Sequence, residues 1–132
     1  MEEIDARRVL KKGDCIFIKL RHDEEEIVLV QKVHRNGTGT YRYEGMLLSD
    51  TRTASVLFLR NCSGSFHMRR GNDPEVRHSS KAFLLSRSEV ALRAGSDRRI
   101  YREEARRYQL LESLAKSNWK KFSDALKAIE QP

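Results

Sequence analysis

The sequence predicts a mainly β domain with a helical C-terminus: a small, curled antiparallel β-barrel of five to seven strands, closed by a C-terminal amphipathic helix. Three observations predict it. Five short runs with strand-like alternation or β-branched content fall between Cys15 and Arg70. Clusters of Gly, Asn, Asp and Ser separate them. Finally, Trp119, Phe122, Leu126 and Ile129 recur at i, i+3, i+7 and i+10, which is one stripe of a helix. A chain of 132 residues is the size of one domain and buries a core without staples.

The elements follow in order. Residues 1–12 are weakly periodic and are expected to form a short helix, which Gly13-Asp14 ends. Cys15–Leu20 places Ile16, Ile18 and Leu20 on one strand face and Cys15, Phe17 and Lys19 on the other. A charged turn, His22–Glu26, leads to a β-branched strand at Ile27–His34. Asn36-Gly37-Thr38-Gly39 is a hairpin turn, because Asn and Gly tolerate positive φ. The third strand is Thr40–Ser49, with Gly45 marking a bulge or bend. Ala54–Arg60 and Ser65–Arg70 are the fourth and fifth, joined by a turn at Asn61–Gly64.

Residues 13–70 are thus a strand meander, and 71–81 read as a long basic loop holding one of the two prolines. Residues 82–113 are mixed. Lys81–Ser86 is a sixth strand or the start of a helix, and Gly95-Ser96-Asp97 breaks the chain. Arg98–Ser113 fits a helix, with Glu103 and Arg107 paired at i, i+4, or a strand over Tyr108–Glu112. The last helix covers 117–130, with Ser117 or Asn118 as its N-cap.

Charge is lopsided. Lys plus Arg total 26 against 19 Asp plus Glu, a net of +7. Residues 1–61 hold 11 basic and 10 acidic side chains, whereas 62–132 hold 15 and 9. The excess is mostly arginine, which pairs bidentately with phosphate or carboxylate. It points to an anionic partner, either nucleic acid or an acidic protein surface. No apolar run approaches the ~18 residues of a membrane span, and the acidic start lacks the apolar core of a signal peptide. An intracellular protein, nuclear or cytoplasmic, is expected. Cys15 and Cys62 lack the close Cys or His neighbours of a zinc site and read as free thiols.

The ending R-Y-Q-L-L-E-S-L-A-K-S-N-W-K-K-F-S-D-A-L-K-A-I resembles that of the pleckstrin-homology-like superfold. The resemblance implies a last strand at Tyr108–Glu112 and a helix whose Trp119 packs across the open end of a barrel. It also implies a ligand loop between the first two strands. Here that loop is Arg21-His22-Asp23-Glu24-Glu25-Glu26, whose acidity argues against a phosphoinositide headgroup. Gly13–Ile18 is similar to the opening of SH3-like barrels of the Tudor and BAH type, and Glu44–Arg60 to an OB-fold.

No nucleophile elbow, P-loop, dinucleotide-binding glycine pattern or zinc-protease helix occurs, so no enzyme, cofactor or metal is expected. His22, His34, His67 and His78 are scattered and read as surface or strand residues. The expected function is a binding module that contacts RNA or DNA phosphates, the alternative being an adaptor or complex subunit that binds an acidic protein. The anion-binding set is Arg69, Arg70, Arg77, Lys81, Arg87, Arg93, Arg98, Arg99, Arg102, Arg106 and Arg107. Tyr41, Tyr43 and Phe66 are candidates for base stacking, weighed against ordinary core packing.

Overall fold

The computed structural model describes residues 1–5, 7–20, 24–35, 41–51, 57–62, 65–70, 73–103 and 105–131. Seven strands precede two helices: β1 (Glu2–Ile4), β2 (Cys15–Leu20), β3 (Glu25–Arg35), β4 (Tyr41–Leu47), β5 (Leu57–Cys62), β6 (Ser65–Arg70), β7 (Arg77–Leu85), α1 (Arg87–Glu103) and α2 (Ala105–Glu130). The sheet is antiparallel, in the order β1-β7-β2-β3-β4-β5-β6. β6 also reaches β7 through His67↔His78 and Met68↔Arg77. The sheet therefore curls until its far edge meets β7 at a short seam.

Two cores result from the two faces of β2. Ile16, Ile18 and Leu20 join Val28, Val30, Tyr43, Leu47, Phe66, Met68 and Ala82 inside the curl. Cys15 and Phe17 point the other way, to meet Ile27, Leu29, Leu85, Val90, Phe122 and Leu126 beneath the helices. A strand covered on both sides is apolar on both sides, as the run C-I-F-I-K-L is. Phe122 and Leu126 each contribute about 1.5–3 kcal/mol by leaving water.

Gly45 marks the bend, as its position suggests, but the extra residue lies on the partner strand. Val30 pairs with Gly45 and Lys32 with Glu44, so Gln31 bulges. A Cβ on Gly45 would stand 2.4 Å from the Leu29 carbonyl oxygen. Only glycine permits that approach.

Several expectations change. Residues 2–4 form a strand rather than a helix, because they complete the edge of β7. The basic loop at 71–81 ends early, since β7 begins at Arg77 and is held by β2 and β6. Gly95-Ser96-Asp97 does not break the chain but lies within α1. Ser86 and Glu89 cap that helix reciprocally, each backbone N–H donating to the other's side chain at 3.1 and 3.3 Å. Tyr108–Glu112 is helical, and α2 starts twelve residues before the expected cap. Asn118 is instead a buried residue within the helix. It accepts a hydrogen bond from Thr51 Oγ1 at 2.9 Å and donates to the Ser49 carbonyl at 2.9 Å, fastening the segment after β4. Trp119 packs with the outer core under the helices and not within the curl. The 36–39 turn, and His22 within the acidic turn, lie outside the described residues. Among the described residues, no helix is long and apolar enough to cross a membrane.

Candidate anion-binding face

Among the described residues, the helices pack over β7, β2, the first half of β3 and Met46 of β4. Beyond that cover, alternation sorts the strands cleanly. Tyr43, Phe66 and Met68 are buried inside the curl, so their neighbours Arg42, His67 and Arg69 point outward. Residues directly opposite in antiparallel strands share a face. The register then aligns His34↔Arg42, Arg42↔Arg60, Arg60↔His67 and His67↔His78, one residue from each of β3 to β7. At ~4.8 Å per strand this row spans roughly 19 Å. A second row, Lys32↔Glu44↔Phe58↔Arg69, runs beside it. Among residues whose side chains are described, the two rows hold three Lys or Arg, three His and one carboxylate.

That carboxylate is engaged locally. Glu44 Oε2 lies 3.9 Å from Lys32 Nζ and 3.4 Å from His34 Nε2. The His34 nitrogen is enclosed, and the contact lacks hydrogen-bond alignment. At the seam, the His67 and His78 rings meet edge to face, with centroids 4.2 Å apart.

Among the described residues, the expected basic set is spread over several elements. Arg69 lies on the second row. Arg77 faces the mouth of the curl and is ion-paired with Glu24. Arg87 is paired with Glu130 and also donates to the Gly13 carbonyl at 2.8 Å. Arg93 lies 4.4 Å above the Phe17 ring and 3.4 Å from Glu25, filling the side of a cleft of about 130 Å³ also lined by Glu26, Leu48 and Ser49. These three are fastened to this chain's own acids and carbonyls. Lys81 is exposed opposite Lys19, and Arg99 is exposed on α1. The side chains of Arg70, Arg98, Arg102, Arg106 and Arg107 lie outside the described residues.

Two of the three stacking candidates are corrected. Tyr43 and Phe66 are 1 and 2% exposed and offer no ring face to a base. Tyr43 stacks on half-buried Tyr41 and accepts the Leu10 N–H at 3.1 Å, and its burial raises the phenol's pKa.

No family model, curated protein or solved structure matches this chain. Among the described residues, no group of three or more His, Cys, Asp or Glu is placed to hold a metal ion. His34, Arg42, Arg60, His67 and His78 were absent from the set expected from sequence. Alternation alone turns Arg42, His67 and Arg69 outward. Aligning them across five strands needs the register, which turn lengths and the Gln31 bulge decide.

Proposed function

We propose that this protein is a nucleic-acid-binding module whose contact surface is the outer face of β3–β7, and that it binds chiefly through phosphates. One observation carries the reading: the cross-strand row His34–Arg42–Arg60–His67–His78. Like charges directly opposite one another destabilise a sheet, by amounts of the order of 0.2–1 kcal/mol per pair. The register sets Arg42 opposite Arg60. A regularly spaced anion gains from such a row, because each neutralised phosphate releases a counterion. Of the described helix arginines, Arg87 and Arg93 are held by this chain's own acids and Arg99 is exposed on α1, so the sheet face is the better-aligned basic surface. Aromatic stacking contributes little, since Tyr43 and Phe66 are buried.

Anisotropy titrations of labelled single-stranded RNA and DNA at several salt concentrations test this. Affinity should fall steeply with salt for both ligands. No binding to either at low salt would reject the reading, and a nuclease-resistant acidic protein partner would then take its place.

A further inference from the structure

α1 buries Val90 and Ala94 in the outer core and turns its opposite side to solvent. There Ser88, Ala91, Leu92, Gly95, Ser96 and Arg99 line a shallow groove of about 460 Å³. We propose that this groove docks a second copy of the chain through an antiparallel α1–α1 contact. The proposal stands apart from the nucleic-acid reading.

Two features of the groove are unexplained by contacts among the described residues. Leu92 is 71% exposed, the highest value among the exposed large hydrophobic residues described. Gly95 sits within the helix, where glycine is less stable than alanine. Unlike Gly45, it answers to no close approach, since a Cβ there would meet nothing within 4 Å. Leu92 is thus a knob, and the space over Gly95 a hole. The lining also matches itself in reverse. A two-fold axis crossing the helix between Arg93 and Ala94 sets Leu92 over Gly95 of the second copy, Ala91 against Ser96, and Ser88 against Arg99. Each contact then occurs twice, as an isologous interface requires. A foreign helix would need no such symmetry in the groove. The missing Cβ lets the two backbones approach, and both Leu92 side chains leave water. Charge agrees, because the two Arg99 positions stand roughly 16 Å apart along the helix axes and each lies beside a Ser88 hydroxyl rather than its twin. One helix pair buries less than the ~1,200–2,000 Å² of a stable interface, so half-conversion to dimer is expected at roughly 10–100 μM.

The experiment is sedimentation equilibrium of the nuclease-treated full chain, from about 5 to about 500 μM. Wild type should pass from one chain to two across that interval. G95A is the decisive variant. In dilute solution it should unfold at a higher temperature than wild type, because alanine is the better helix former and its methyl has room. It should nevertheless dimerise about tenfold more weakly, or worse. L92Q should lose association by a similar factor and keep its melting temperature, since Leu92 is exposed in the single chain. A G95A chain that gains stability and associates like wild type overturns the proposal. So does a dimer that survives in L92Q. A wild type that remains one chain at the highest concentration also overturns it, and would leave the groove to a different partner.

Discussion

Replacing Arg42 and Arg60 by glutamine should weaken binding and its dependence on salt. The two residues are directly paired on neighbouring strands, so the double variant removes two like charges from one rung of the sheet. On a single strand, each phosphate neutralised contributes about 0.7 to the slope of log affinity against log salt. Loss of two contacts should make the slope shallower by about 1.4. Over a fourfold rise in salt, wild type should then lose about sevenfold more affinity than R42Q/R60Q. Urea unfolding of R42Q/R60Q establishes that the change in slope is read on folded protein. R87Q is the converse. It breaks the Glu130 pair and the bond to the Gly13 carbonyl, so it should cost about 1–3 kcal/mol and leave the slope alone. Anisotropy gives the slopes, and urea unfolding followed by Trp119 fluorescence gives the stabilities. The reasoning fails if R42Q/R60Q keeps the wild-type slope, or if R87Q is the variant that loses it.

Other consequences are structural. G45A should lose about 2–3 kcal/mol in urea unfolding, because the new methyl drives into the Leu29 carbonyl and Val28. S86A should cost about 1 kcal/mol through loss of the α1 cap. Its partner Glu89 is held near pKa 2 by the terminal ammonium 2.7 Å away and by Ser86. The stability Glu89 contributes is complete above its ordinary 4.5 and fades as pH falls toward 2, so E89Q should flatten the acid limb of a stability–pH curve. Burial pushes the Cys15 thiol from 9.0 to about 11, partly offset by Arg87. An unfolded chain ionises first, so that stability is present below pH 9.0 and lost as pH rises toward 11. Iodoacetamide at mildly alkaline pH should label Cys15 far more slowly in native protein than in urea.

Legibility followed the range of the signal. β2, β3 and the α2 stripe rest on local alternation and on 3.6-residue periodicity, and all three appear at or near their expected positions. The N-terminal segment failed because Glu2–Ile4 has no strand signature of its own; it is a strand only because β7 offers an edge. Arg98–Ser113 satisfied two local patterns, and its described residues are helical, in the end of α1 and the start of α2. The cap at Ser117 or Asn118 was misplaced for a related reason. Asn is disfavoured inside helices unless its side chain finds other work, and the partners of Asn118 lie more than 65 residues away, at Ser49 and Thr51.

The binding face shows the same division between local and distant information, with a functional consequence. Net charge by segment directed attention to residues 62–132, but it cannot distinguish an arginine held by a carboxylate from one facing a ligand. Arg77, Arg87 and Arg93 sit in the basic half and are spent on Glu24, Glu130 and Glu25. His34, Arg42 and Arg60 sit in the nearly neutral half, and register brings them beside His67 and His78. Two of the ten acids that neutralise the first half on paper, Glu24 and Glu25, are taken by Arg77 and Arg93. Folding thus separates the charges that composition averages. A nearly neutral segment and a basic one together build a face with one carboxylate in its two rows, already flanked by Lys32 and His34. The +7 total describes that arrangement poorly.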